Sequence, residues 1–296
     1  MTHSVDVRAP THRFVETNGL RFHCVTAGEG PLVLLLHGFP EFWYSWRHQI
    51  PALAAAGFRV VAPDLRGYNE SDKPPGVLAY RMTELVEDVA GLVRALGGEP
   101  AAIVGHDWGG AVAYAMAMLR PELVARLAVL NCPHPAAFAR AIWDGDLEQL
   151  RRSWYMFFFQ LPDVPEALLA AREFRLLRRL AWDHARPGTF TRRDLTRYVE
   201  AFAKPGALTG ALNWYRAMFR RAQAGRRYPP IAAPTLVIWG TADHFLGPGL
   251  LRGMRRHFSG PFRLARLPRV SHWVQQEAPA RVNALLLRFL APLSGR

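Results

Sequence analysis

Three side chains suited to nucleophilic catalysis stand in the order nucleophile, acid, base along the 296 residues. Asp107 lies in Gly105-His106-Asp107-Trp108-Gly109-Gly110, between an apolar run and a stretch of small apolar residues with helical character. A G-x-D-x-G string between strand and helix forms a sharp elbow, because small neighbours let the backbone push the central side chain outward. A carboxylate at that point is a poor nucleophile for amides. It is a reasonable one for saturated carbon, where displacement leaves a covalent ester. Asp243 follows the strand-like Thr235–Trp239, and His272 lies in Val270-Ser271-His272-Trp273, ahead of the last helical stretch. An acid after one strand and a histidine after the next can orient and supply a general base. Taken singly, Asp107 is a helix cap and the other two are surface residues; the shared order and placement favour the catalytic reading. His244 adjoins Asp243 but does not stand where a base is needed.

An ester intermediate needs N–H donors for its carbonyl oxygen. The elbow offers the backbone N–H of Trp108. The loop His37-Gly38-Phe39-Pro40, after the apolar run Leu32–Leu36, offers that of Phe39. Phe39–Pro40 is a candidate cis peptide bond.

These groups require a scaffold of buried strands with loops at one edge. Arg13–Thr17 and Leu20–Thr26 flank Asn18-Gly19, a hairpin signal. Short apolar runs at 32–37, 59–64, 101–105 and 126–131 then alternate with helical patterns at 83–96, where Thr83 is a candidate N-cap, and 109–119. Such strands, apolar throughout and separated by helices, make a parallel sheet covered on both faces. From Pro135 to Tyr228 strand signals stop. About four amphipathic helices are expected there, near 147–160, 165–182, 191–203 and 206–224. After Pro229-Pro230 come strands at 235–239 and 262–267, a helix near 247–257, and a final helix at 279–290. The expected organisation is an α/β core of residues 1–134 and 229–296, with a helical lid of residues 135–228 inserted.

Charge follows the same division. The chain carries 37 Lys+Arg against 24 Asp+Glu, a net +13, and lysine occurs only at 73 and 204. Residues 1–135 hold 11 basic and 13 acidic groups, residues 136–227 hold 17 and 9, and residues 228–296 hold 9 and 2. The excess is thus absent from the nucleophile-bearing segment and begins with the lid. Nucleic-acid binding has only this charge in its favour, without a helix-turn-helix, zinc or RNP-like pattern. No apolar run approaches the ~20 residues of a membrane-spanning helix. Two cysteines, Cys24 and Cys132, are expected as buried thiols on separate strands, and the absence of a leader-like N-terminus points to the cytoplasm. No CxxC, HExxH or phosphate-binding glycine loop is present, so neither metal nor organic cofactor is expected.

HGFPEFWYSWRHQIPAL, APDLRGYNESDKP, GHDWGGAVAYAMA and VSHWVQQEAP together resemble the epoxide hydrolases of the α/β-hydrolase superfamily, over residues 14 to 291. The resemblance implies a mostly parallel, eight-stranded α/β-hydrolase sheet with a helical lid, and a small apolar epoxide and water as substrates. It leaves room for a homodimer. It also implies two lid tyrosines that bind and protonate the epoxide oxygen. Trp154-Tyr155-Met156-Phe157 is similar to the first tyrosine segment and Asn213-Trp214-Tyr215-Arg216 to the second. Two phenols supply hydrogen bonds and a proton to a developing alkoxide without bringing charge into a dry pocket. The rival on the same fold is a haloalkane or haloacetate dehalogenase, whose halide needs N–H donors but no proton. Those enzymes usually carry Asn at the Phe39 position or Arg at the Trp108 position. A non-enzymatic ligand-binding relative would have little use for a complete nucleophile, base and acid set. Two departures from the family pattern are Asn69, which tolerates left-handed backbone geometry in its turn, and His134, a candidate for the pocket mouth.

Overall fold

The computed structural model describes residues 9–220 and 228–294. Eight strands form one sheet in the order β1-β2-β4-β3-β5-β6-β7-β8. They are β1 (Thr11–Thr17), β2 (Leu20–Ala27), β3 (Leu32–Leu36), β4 (Arg59–Pro63), β5 (Ala101–His106), β6 (Val124–Leu130), β7 (Thr235–Gly240) and β8 (Phe262–Leu267). Pairing is antiparallel at β1–β2 and β2–β4 and parallel from β4 through β8. The Asn18-Gly19 turn has positive φ at both residues, as a two-residue hairpin demands.

Alternation along the central strands divides the core into two layers. Leu34, Leu36, Ile103, Leu127, Val129, Val237 and Trp239 face one side, where α2 (Met82–Ala95) and α3 (Trp108–Leu119) cover them. Val33, Leu35, Ala102, Val104, Ala128, Leu130, Leu236 and Ile238 face the other, beneath α1 (Gln49–Ala55) and α11 (Pro279–Ser294). The period of two sends neighbouring residues to opposite faces, so a central strand must be apolar at every position.

Between β6 and β7 the described residues form six helices and no strand: α4 (Pro135–Trp143), α5 (Leu147–Arg152), α6 (Trp154–Phe158), α7 (Val164–Trp182), α8 (Arg192–Ala203) and α9 (Ala207–Phe219). The expected four-helix pattern therefore missed α4 and joined α5 to α6 across Ser153. Within α7, Ala171–Phe174 leave helical geometry, three of them with positive φ. The expected helix at 206–224 stops at Phe219, and residues 221–227 lie outside the described part. Thr83 is inside α2, whose N-cap is Arg81 without a side-chain cap, and residues 247–257 hold two short 3-10 turns rather than a helix. A short helix, α10 (Val274–Glu277), precedes α11.

Candidate active site

The parallel strands run in one direction, so the loops leaving β3, β5, β6, β7 and β8 collect at the same edge of the sheet. Asp107, between β5 and α3, has φ 50° and ψ −121°. That conformation costs a non-glycine residue about 1–3 kcal/mol. Glycines make it accessible: a Cβ on Gly105 would lie 2.3 Å from the Gly109 carbonyl oxygen, and one on Gly109 would lie 2.1 Å from that of Leu36. The chain must pass this closely because the elbow folds back over β3.

His272 Nδ1 is 2.7 Å from Asp243 Oδ2, and its Nε2 is 3.6 Å from Asp107 Oδ2. The three residues predicted from their order along the chain thus meet, although 165 positions separate the first from the last (272 minus 107). Burial opposes a charge on His272, but the Asp243 carboxylate, seconded by Asp107, pushes the imidazole up to about 10. Burial likewise opposes the charge on Asp107, and is overcome by the hydrogen bond and charge of His272, which hold the carboxyl below its usual value. The Phe39 N–H donates to Asp107 Oδ1 at 2.9 Å, and the Phe39–Pro40 bond is cis. Trp108 begins α3, where the first-turn N–H groups have no partner within the helix, and its indole interacts with the hydroxyl of Tyr215.

Tyr155 on α6 and Tyr215 on α9 line one cavity with Asp107 and His272, their rings 6.0 Å apart. The Tyr215 ring lies 5.1 Å from Trp108 and 5.4 Å from Phe39. Burial, with further contribution from the Asp107 charge, raises both phenols well above 10, so both stay protonated. A cavity of about 270 Å³ bounded by Leu85, Ala111, Met118, Phe138 and Trp214 reaches Asp107. A smaller one of about 50 Å³, bounded by Tyr155, Phe245, His272 and Trp273, reaches it from the other side. Asp107 therefore stands where two apolar arms meet.

Several positioning residues escaped the sequence reading. Asn131, at the end of β6 with φ 38°, donates to Asp243 Oδ2 at 2.6 Å and accepts from the Gly240 N–H at 2.8 Å. The Phe245 and Leu246 N–H groups hold the other oxygen of Asp243 at 2.8 and 2.9 Å. Behind His272, His106 bridges Glu41, at 2.8 Å, and the His272 carbonyl oxygen, at 3.0 Å. Glu41 is fully buried and also accepts from Gln275 and Gln276. Arg216 pairs with both oxygens of Glu166 and donates to the carbonyls of Phe159 and Leu161, tying α9 to the segment after Tyr155. Only adjacency to known motifs could have signalled these groups.

His134 is not at the pocket mouth. It is fully buried, stacked on His257 at 4.1 Å, and lines neither cavity. His244 is exposed and stacks on His184, away from the base position. Cys132 follows β6 rather than lying on a strand; both thiols are buried, and burial pushes Cys24 up to about 12. Asn69 has φ 41° and donates to Asp64 at 2.7 Å, so its turn survives. Among the described residues, no cluster of three or more His, Cys, Asp or Glu could hold a metal ion, and no helix is long and apolar enough to cross a membrane.

The model of the α/β hydrolase fold family matches residues 31–279. The AB hydrolase superfamily protein YfhM of Bacillus subtilis is 44% identical over 94% of this chain and 97% of its own length. Epoxide hydrolase 4 of Mus musculus is 40% identical over 95% of this chain and 79% of its own. The crystal structure of epoxide hydrolase A from Mycobacterium thermoresistibile superposes with a TM-score of 0.80, at 38% identity, covering 96% of this chain and 99% of that one. The chain belongs to the α/β-hydrolase family, in its epoxide-hydrolase branch. Its elbow therefore presents a carboxylate where many members of the fold carry a serine.

Proposed function

We propose that the protein hydrolyses an epoxide to a vicinal diol through a covalent ester on Asp107. The observation that carries this reading is the pair of protonated phenols, Tyr155 and Tyr215, lining the smaller cavity together with the Asp107 carboxylate. A halide would need no such proton source.

In the first step an oxygen of Asp107 attacks an epoxide carbon, and the C–O bond breaks toward the ring oxygen. The developing alkoxide accepts hydrogen bonds from both tyrosines and takes a proton from one. The negative charge leaves Asp107 in this step. A phenol that its field had held protonated thereby becomes a better donor. The tyrosinate regains its proton from solvent.

In the second step water attacks the ester carbonyl. Ester formation has removed the anion 3.6 Å from His272 Nε2, so the pKa of the imidazolium falls from its resting level, its Nε2 proton passes to solvent and the neutral ring can act as base. Asp243, clamped by Asn131, keeps Nδ1 protonated and turns Nε2 toward the water. The N–H groups of Phe39 and Trp108 hold the oxyanion, which collapses to the Asp107 carboxylate as the imidazolium returns a proton to the leaving diol oxygen. No resident cofactor enters these steps. The helices between Pro135 and Phe219 serve as a lid that keeps bulk water from the alkoxide.

The deciding experiment is a single turnover in heavy-oxygen water on a panel of terminal, aromatic and fatty-acid epoxides. Diol should form with the label retained on Asp107. Label found only in the diol, or halide release from haloalkanes without diol formation, would overturn the reading.

A further inference from the structure

We propose that the outer face of the helices between β6 and β7 docks on an anionic lipid surface, placing the mouths of both cavity arms against the bilayer. Folding leaves an unusual set of large apolar side chains in water here. Trp143 is 65% exposed and Trp154 50%, and Phe157, Leu161, Val164 and Leu168 are also exposed. Concentrated exposure of this kind marks an interaction surface, whereas scattered single residues do not. Tryptophan is the side chain that suits the boundary between water and acyl chains, with an apolar body and one N–H.

Two observations identify the partner. The first is position. Trp143 and Phe219 line the large arm while exposed at its rim, and Trp154 does the same for the small arm. Phe157 joins them, its ring 5.3 Å from that of Phe219. The apolar surface therefore continues into the cavities, so a molecule dissolved in lipid could enter without crossing water.

The second is charge. Residues 136–227 hold 17 basic and 9 acidic groups. Of those acids, Glu148, Glu166 and Asp194 are engaged by Arg152, Arg216 and Arg47. Asp144, Asp146, Asp163, Glu173, Asp183 and Glu200 are exposed without an ion pair among the described residues, so the exposed charge is an excess of arginine over acid. Arg151, Arg175, Arg179, Arg192 and Arg193 are exposed, with no ion pair among the described residues. A second copy docking through the same face would set two such basic surfaces against each other. Anionic headgroups complement it instead, with arginines at the surface and aromatics beneath it. The docking itself does not depend on the proposed reaction. Delivery of apolar epoxides from the bilayer does.

The test uses the whole protein and sedimentation with phosphatidylcholine vesicles, with and without phosphatidylglycerol. Binding is expected only with the anionic lipid, falling at least about tenfold between 0.1 and 1 M salt as the screening length contracts. Arg175→Gln with Arg179→Gln should weaken binding about 25-fold, from roughly fivefold per arginine. Phe157→Ser, or Leu168→Ser if that variant does not fold, should weaken it about tenfold. Turnover of a water-soluble epoxide should stay unchanged in all of these. If that turnover is absent in the parent protein as well, the reaction assignment fails while the vesicle result still stands. No anionic binding at low salt, or binding indifferent to the arginines, would overturn the docking. So would a dimer in solution that Phe157→Ser dissociates, since the face would then belong to a second copy.

Discussion

Replacing Asp107 by Asn tests the electrostatic link between the two halves of the proposed reaction. The amide keeps the shape of the carboxylate and removes its charge, as ester formation does. The carboxylate oxygen lies 3.6 Å from His272 Nε2. Two unit charges at that distance interact by about 5 kcal/mol at an effective dielectric near 20, reduced to about 3 kcal/mol because the charge is shared by two oxygens. At 1.36 kcal/mol per pH unit, the His272 midpoint should fall by about two pH units from its resting value of about 10. Asp243, at 2.7 Å, accounts for the elevation that remains. Long-range nitrogen–proton NMR of the imidazole across pH 5–11 reads this directly, with intact mass confirming that the amide has not hydrolysed. A midpoint within about half a pH unit of the parent would refute the switch. The ester would then have to be cleaved by a base other than His272.

The same imidazole makes a stability prediction. The fold raises its pKa, so its contribution is complete below 6.5 and lost as pH rises through about 10. The urea midpoint should therefore fall over that window, and fall less in His272→Gln. In single-turnover experiments His272→Gln should also accumulate an adduct of protein plus epoxide, seen as an intact-mass increase that the parent does not retain. Tyr155→Phe and Tyr215→Phe should each slow ring opening by about tenfold or more, and the pair by about 10²–10⁴, measured as the rate of adduct formation. Asn131→Ala frees one oxygen of Asp243, and should slow adduct breakdown about tenfold while leaving adduct formation within about twofold, because in the proposed mechanism Asp243 acts through His272 rather than Asp107.

How much of this was legible in the residues differs from group to group. Asp107 was readable because the elbow is a local device: its glycines and Asp107 sit within six consecutive residues, where a Cβ on Gly105 would meet the Gly109 carbonyl of the same elbow and one on Gly109 that of Leu36 on the next strand. Asp243 and His272 were readable because parallel strands deliver their following loops to one edge, so order along the chain carries position in space. The hairpin at Asn18-Gly19 and the apolar strands were local in the same sense. Thr83 misled because its cap signal was real but α2 starts a residue earlier, at Met82, and buries Leu85, Val86 and Val89 against the sheet. Packing outweighs a single cap.

What only the tertiary structure decided are the contacts between segments that no pattern links. Asn131 meets Asp243 across two adjacent strands, Glu41 finds His106 behind His272, and Arg216 holds the two tyrosine-bearing helices together. His134 reads as a mouth residue in its motif, yet folding buries it against His257 from a turn 123 positions on (257 minus 134). The sequence alone determined which side chains could do chemistry, because motif geometry is set by near neighbours and strand direction. Protonation states, cavity shape and the exposed aromatic face depend on burial and on charges brought together from distant segments, and those exist only once the chain has folded.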